Sequence, residues 1–178
     1  MATIVFGGTA GNWSDDTKWV GGVEPTAADD VQLDATSANC TINAAAVARS
    51  VDFTGYTGTL THNAAVTLSI GDATAVAGSI ALKMVAGMTY TLVNATSSAI
   101  SFVSTSTTVQ TVDFAGKTSV DVTYDGVAGS WQLTGTHNTG TTATVRLTNG
   151  TLNTNGQTVS IGKFASNNSN TRVLTLGA

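Results

Sequence analysis

Apolar and polar residues alternate along nearly the whole chain, as at Val66, Leu68 and Ile70. Each short run is bounded by Gly, Asn, Asp or Ser, so that a turn signal recurs about every ten residues. Successive side chains of a β-strand point to opposite faces, and the pattern therefore predicts many short strands that each bury one face. Only residues 44–49 are a candidate for a single helical turn.

The composition disfavours the main alternatives to a β-rich fold. More than half of the 178 residues are Thr, Ala, Gly, Ser or Asn, and Glu occurs once, as Glu24. A helical bundle needs Glu, Lys, Leu and Arg on its exposed faces, which this chain cannot supply. Charged residues make up only 10% of the chain, whereas disordered chains are highly charged and poor in β-branched residues. We expect an all-β protein.

Two architectures suit many short strands at this spacing, a parallel β-solenoid and a β-sandwich. An internal repeat favours the solenoid, because residues 51–58 (VDFTGYTG) match residues 112–119 (VDFAGKTS). In a solenoid each coil stacks about 4.8 Å above the last, so equivalent residues form ladders. Ladders of Thr, Ser and Asn form hydrogen bonds and avoid the repulsion of stacked like charges. We therefore predict a parallel β-solenoid, with a β-sandwich as the alternative.

Residues 1–38 differ from the rest of the chain. They contain two of the three tryptophans, Trp13 and Trp19, the only proline, Pro25, and an acidic pair that includes Asp30. The first coil of a solenoid exposes an apolar end that has to be covered. We predict that residues 1–38 form an N-terminal cap with Trp13, Trp19, Pro25 and Asp30 as its structural residues. Residues 39–178 would be stacked coils, with the C-terminal end covered by another subunit or by further coils.

Two segments carry a resemblance to known proteins. Residues 11–19 (GNWSDDTKW), 21–25 (GGVEP) and 29–33 (DDVQL) resemble an opening motif that precedes β-solenoids in bacterial surface proteins and phage virion proteins. Residues 162–177 resemble segments of phage tail-fibre-like structural proteins. The resemblance implies a capping role for the two tryptophans. Lys18 stands where Asn or a small residue is common in that motif.

The acidic residues are the first candidates for chemistry. The pairs at residues 15–16 and 29–30 lack the spacing of a calcium-binding loop, so we predict turn and capping roles for them. A carbohydrate-active site on this scaffold would need a cluster of carboxylates on one face. The candidates in the predicted coils are Asp52, Asp72, Asp113, Asp121 and Asp125. Asp52 and Asp113 occupy equivalent repeat positions, which predicts one structural role used twice.

The remaining reactive side chains show no site pattern. His62 and His137 lie far apart in the sequence and lack metal-ligand spacing, and we predict that each is exposed or at a corner. The single cysteine, Cys40, has no cysteine partner and is predicted to be a small buried apolar residue. We therefore predict no catalytic residue, no cofactor and no metal, and hence no enzymatic activity.

Pairs of Thr separated by one residue are a further candidate, because a flat, regular array of them could bind ice. They include pairs that start at residues 59, 89, 105, 134 and 142. The intervals between these starting positions are irregular, whereas an ice-binding array needs one pair in register on each coil. We predict Thr ladders along strands as a structural feature.

Charge and segment length limit the partners. A net charge of −4 without a basic cluster argues against nucleic-acid binding. No segment approaches the roughly 20 apolar residues of a membrane-spanning helix, so we expect no membrane insertion. Residues 1–6 (MATIVF) lack the basic region and apolar core of a secretory signal. This indicates synthesis in a host cytoplasm.

These expectations combine into one functional hypothesis. We expect a non-enzymatic structural component of a bacteriophage particle, as a fibre, spike or head-decoration protein that contributes to host-surface attachment. It would reside in the virion and contact copies of itself, other virion proteins and a host-surface glycan. One alternative is a bacterial surface adhesin or autotransporter passenger fragment, which would be extracellular at the cell surface. The other is a carbohydrate-binding or carbohydrate-active module on the same scaffold.

Overall fold

The computed structural model of the chain describes residues 2–74, 78–93 and 97–177. These residues form eighteen β-strands and one 3-10 helix, Asp16–Lys18, which is too short to cross a membrane. The strands are β1 (Thr3–Val5), β2 (Gly11–Asn12), β3 (Asp30–Gln32), β4 (Cys40–Ile42), β5 (Ala46–Ala48), β6 (Ser50–Asp52), β7 (Thr59–His62), β8 (Thr67–Ile70), β9 (Ile80–Lys83), β10 (Thr89–Leu92), β11 (Ala99–Phe102), β12 (Val109–Asp113), β13 (Asp121–Leu133), β14 (His137–Asn138), β15 (Thr144–Asn153), β16 (Val159–Ser160), β17 (Lys163–Ala165) and β18 (Arg172–Thr175).

All pairings between these strands are parallel. A twelve-stranded, curled sheet has the order β1-β3-β6-β9-β12-β13-β11-β8-β5, and β15 joins β13 to β17 and β18. A second sheet has the order β10-β7-β4-β2, and β14 pairs with β16. The prediction of an all-β chain is confirmed, and its strands run parallel.

The pairing register aligns inward-facing residues of successive strands. The number of residues between paired positions varies. Thr144 pairs with Lys163, whereas Leu68 pairs with Ile100, which lies further along the chain from its partner. One column of buried apolar side chains runs through five strands of the large sheet. Its members are Val31, Val51, Leu82, Val112 and Leu133. Each contributes about 1.5–3 kcal/mol when fully buried. The column is one part of a core that also contains the buried aromatic side chains.

A short acidic turn recurs along the chain. In each case the carboxylate of an Asp accepts hydrogen bonds from the backbone N–H and the hydroxyl of a Thr two residues later, at 2.6 to 3.0 Å. The pairs are Asp15–Thr17, Asp34–Thr36, Asp52–Thr54 and Asp72–Thr74. This is the Asx turn, which satisfies backbone N–H groups where the chain changes direction.

The prediction of a helical turn at residues 44–49 is wrong. Residues Ala46 and Ala48 are buried in β5 and pair with Leu68 and Ile70 of β8, while Val47 faces outward. Alanine favours helices in isolation, but parallel pairing with a neighbouring strand outweighs so short a local preference.

Candidate functional site

Trp13 and Trp19 pack together near β1. Both are buried, their rings meet edge to face at 4.9 Å between centroids, and the Trp19 ring lies 5.0 Å from that of Phe6. The Trp19 Nε1 atom donates to the Trp13 carbonyl oxygen at 2.7 Å. The backbone beside Trp19 follows the end of β1, because Gly7 N–H donates to the Lys18 oxygen and Val20 N–H donates to the Val5 oxygen. These hydrogen bonds therefore satisfy backbone N–H and C=O groups at the end of the edge strand β1.

The other two predicted cap residues lie in different surroundings. Pro25 is buried, in the segment that leads into β3. Asp30, in β3, forms an ion pair with Arg49 and accepts a hydrogen bond from the hydroxyl of Ser50. The structure thus brings Trp13 and Trp19 together and joins Asp30 to a polar cluster on the large sheet.

That polar cluster lies in a groove of about 390 Å³ across the large sheet. Its lining includes Asp30, Arg49, Ser79 and Gln110, and Gln110 is only 1% exposed. The Gln110 Oε1, Ser79 Oγ and Arg49 Nε atoms are buried without a hydrogen-bond partner in the part of the chain that the structure describes. Buried polar atoms without partners are uncommon, because each costs about 1–3 kcal/mol. These three atoms lie beneath the groove surface, and partly exposed side chains such as Gln32 and Ser50 supply its accessible polar lining.

The carboxylates of this groove are already engaged. Asp30 is held by Arg49 and Ser50, and Asp52 accepts from the N–H and the hydroxyl of Thr54. A general acid or base needs a proton that it can exchange with a substrate within hydrogen-bond reach. The arrangement suits the binding of a polar ligand better than acid–base catalysis.

The predicted equivalence of Asp52 and Asp113 is confirmed. Both pair in register with Lys83, from the two strands on either side of it. Asp113 also accepts from the N–H of Ala115 at 2.7 Å, as Asp52 does from Thr54. The sequence repeat that contains these two residues therefore spans two steps of the sheet, with a lysine between the two carboxylates. This register avoids placing the two like charges directly opposite each other on adjacent strands.

Asp121 and Asp125 do not converge on a common point. Asp121 accepts from the N–H of Thr144 at 2.8 Å and forms an ion pair with Arg146 at 2.7 Å. Asp125 accepts from the side-chain amide of Asn149 at 2.6 Å. Each carboxylate links β13 to β15, which is a structural use of the charge.

The prediction that His62 and His137 are exposed or at corners is wrong. Both are buried, with His62 at 0% and His137 at 1% exposure. His62 pairs in register with Ile42 and Leu92, so it occupies an inward position of its strand. The alternation of Leu60 and His62 in the sequence already contained this signal.

Both imidazoles are held in their neutral form. His62 Nε2 lies 3.1 Å from the Val66 carbonyl oxygen and must donate to it, so Nδ1 accepts from the Tyr90 hydroxyl at 2.8 Å. The His137 ring stacks on that of Phe114, with the centroids 4.1 Å apart and the planes 9° apart. Burial lowers the pKa of His62, and burial lowers the pKa of His137 to about 4.

Cys40 is buried in β4, in register with Leu60, as the sequence predicts. Burial raises the pKa of its thiol, and a protonated, enclosed thiol is a poor nucleophile. Among the described residues, no three His, Cys, Asp or Glu side chains lie close enough together to hold a metal ion.

The predicted Thr ladders are present in the second sheet. Thr59 and Thr61 of β7 pair with Thr89 and Thr91 of β10, and Thr41 of β4 pairs with Thr61. Equivalent hydroxyl side chains therefore stand side by side on adjacent strands, where they contribute cross-strand interactions.

No protein-family model, curated protein or solved structure matches this chain.

Proposed function

We propose that the chain is a parallel β-solenoid in which residues 1–38 form the N-terminal cap and residues 39–178 the stacked coils. Parallel pairing supports a solenoid over the β-sandwich, because sandwiches are built from antiparallel sheets. The steps along the chain between paired positions, as from Thr144 to Lys163 and from Leu68 to Ile100, suit successive coils. The buried pair of Trp13 and Trp19 beside the edge strand β1 is the packing that a cap requires.

We propose that this solenoid is a non-enzymatic structural component of a bacteriophage particle, as a fibre, spike or head-decoration protein. The observation that carries the proposal is the parallel pairing that links β1 to β18 within the large sheet, through β3, β6, β9, β12, β13 and β15. The engagement of its carboxylates in turns and strand-to-strand links agrees with a structural role. Residues 11–19, 21–25 and 29–33 resemble an opening motif of bacterial surface proteins and phage virion proteins, which supports a location on the outside of a particle or a cell.

The groove beside Gln110 favours a second function, binding of a carbohydrate at the host surface. Sugars present hydroxyl groups that both donate and accept, and the partly exposed side chains of Gln32, Arg49 and Ser50 line the groove with donors and acceptors. Such a site would give a virion protein an attachment role.

Mass spectrometry of particles purified from the culture that carries the gene tests the main proposal. We expect the chain among the virion proteins, at a fixed ratio to the major capsid protein. Recovery of the chain in the bacterial envelope fraction, and not in the particles, would favour a surface adhesin instead. Release of reducing ends from capsular polysaccharide by the purified chain would contradict the non-enzymatic assignment.

Glycan-array binding tests the second function. We expect the wild-type chain to bind a bacterial surface glycan and Gln32→Ala, which truncates a partly exposed side chain of the groove, to lose that binding. Gln157→Ala is the matched control, because Gln157 lies outside the groove. Equal binding by both variants would refute the groove as the glycan site.

A further inference from the structure

The C-terminal end of the sheet stack exposes apolar side chains that continue interior columns. Phe164 pairs in register with the buried Val145, Leu174 with the buried Leu152, and Val159 with the buried His137. These three side chains are nevertheless 38–44% exposed, and Leu176 is 73% exposed. We name Val159, Phe164, Leu174 and Leu176 the C-terminal apolar end; they line a cleft of about 350 Å³.

The backbone of the same end is also open. Among the described residues, β16, β17 and β18 each pair with one neighbour only, on the side of β14 or β15. Their other edges therefore present backbone N–H and C=O groups beside apolar side chains. An open edge with apolar neighbours favours association with another chain.

Charge is distributed unevenly between the two ends. Six of the 11 acidic residues lie in residues 1–38, with Lys18 as the only basic residue there. No acidic residue follows Asp125, whereas Arg146, Lys163 and Arg172 do. The Arg172 guanidinium donates to Ser166, Asn168 and Asn170, and no ion pair joins it or Lys163 to a described carboxylate.

The acidic end also exposes apolar side chains. Val20 is 66% exposed and Val23 is 57% exposed, on either side of Gly21 and Gly22. Both glycines have positive φ and nothing lies within 4 Å of where their Cβ atoms would be, so this turn stands clear of its surroundings. We name residues 20–23 the valine turn; Glu24 follows it directly.

We propose that the C-terminal apolar end of one copy docks on the valine turn of a second copy, head to tail. The basic residues Lys163 and Arg172 then face the acidic N-terminal segment of the next copy. Two C-terminal ends docked on each other would bring like charges together, which disfavours that arrangement. A head-to-tail contact uses two different surfaces, so each added copy leaves one free surface of each kind until a ring closes.

The contact with the second copy is made by the valine side chains and not by strand pairing, because the edge of β1 is less open than those of β16 to β18. The Val5 carbonyl already accepts from the N–H of Val20, and Gly7 N–H donates to Lys18. Side-chain packing and charge therefore carry the contact. The proposal concerns this chain alone and does not depend on its location in a phage particle.

Sedimentation velocity of paired variants tests the proposal. Leu176→Asp blocks the C-terminal apolar end, and Val23→Asp blocks the valine turn. Val109→Asp is the matched control, because Val109 is 40% exposed in β12, which pairs with β9 and β13 on its two sides and lies outside both surfaces. We expect the wild type and Val109→Asp to form concentration-dependent oligomers, and each blocked variant to be monomeric by itself.

Mixing the two blocked variants gives the decisive result. In a head-to-tail contact, Leu176→Asp still offers an intact valine turn and Val23→Asp still offers an intact C-terminal end, so the mixture forms dimers and nothing larger. A dimer formed by Val23→Asp alone would indicate contact between two C-terminal ends and overturn the proposal. A monomeric wild type at the highest soluble concentration would also overturn it.

A charge exchange tests the electrostatic part independently. Glu24→Lys and Lys163→Glu should each weaken association at least tenfold at low salt, and the two together in one chain should restore most of it. High salt should weaken wild-type association, because it screens exposed charges. Unchanged association in both single variants would contradict the assignment of these charges to the contact.

Discussion

Acidification should destabilise the fold well above the pH at which carboxylates titrate, because His137 is buried as a neutral ring. The ring stacks on Phe114 and is 1% exposed, so the folded state resists its protonation. Burial lowers its pKa to about 4, from its usual value of 6.5. The unfolded chain therefore binds a proton in this range that the folded chain does not.

The sign and size follow from proton linkage. The contribution of His137 to the free energy of unfolding is fully present above the unfolded pKa of 6.5. It is lost as the pH falls toward the folded pKa of about 4. Each pKa unit corresponds to about 1.4 kcal/mol, so His137 alone removes about 2 kcal/mol by pH ~5 and about 3 kcal/mol in the limit. His62 acts in the same direction, because burial lowers its pKa too.

Urea denaturation at about pH 7.5 and about pH 5 measures this loss in free energy of unfolding. We expect His137→Phe, which keeps an aromatic ring against Phe114, to lose about 2 kcal/mol less than the wild type. His62→Gln should also reduce the loss, because His62 is the other buried imidazole. The turn carboxylates of Asp15 and Asp34 stay ionised in this window, because hydrogen bonds from Thr hydroxyls lower their pKa values. Equal losses in wild type and His137→Phe would refute the burial of a neutral His137.

Further expectations concern the core, the turns and metal independence. Trp19→Ala should destabilise the fold by about 3–5 kcal/mol in urea denaturation, and the exposed control Val20→Ala by less than about 0.5 kcal/mol. Asp52→Ala should cost about 1 kcal/mol in the same assay, because it removes the acceptor for the Thr54 N–H and hydroxyl. Cys40 should react with a thiol reagent only in denaturant, and labelling of the folded chain would contradict its burial. A chelator should leave the melting temperature unchanged, whereas a fall of more than about 10 °C would indicate a folding-linked ion.

The sequence predicted the inward faces of strands better than it predicted their neighbours. Alternation alone identified Val31 and Val51 as core positions, and both are buried. The same alternation places His62, two residues after Leu60, on the inward face of its strand. A buried neutral histidine needs partners, however, and the Tyr90 hydroxyl that His62 uses lies 28 residues further on. The alternation within one strand contains no information about that pairing.

The register of charges was only partly predictable for the same reason. The repeat between residues 51–58 and 112–119 showed that Asp52 and Asp113 are equivalent, but nothing in it identified Lys83 as the residue between them. Lys83 lies in register with both aspartates because β9 pairs with β6 on one side and with β12 on the other. A ladder that would have stacked two like charges instead alternates their sign.

The Thr pairs show why regular sequence spacing is a poor guide to a regular surface in this chain. Thr59 and Thr89 stand side by side on β7 and β10, although the interval that separates them is not repeated at the next pair. Thr105, which begins that next pair, lies between β11 and β12, outside the second sheet. Lengthening a connection costs little free energy, because the entropy of closing a loop grows only with the logarithm of its length. Connections can therefore change length from one step to the next, which erases the period in the sequence while hydrogen bonding between the strands maintains the ladder.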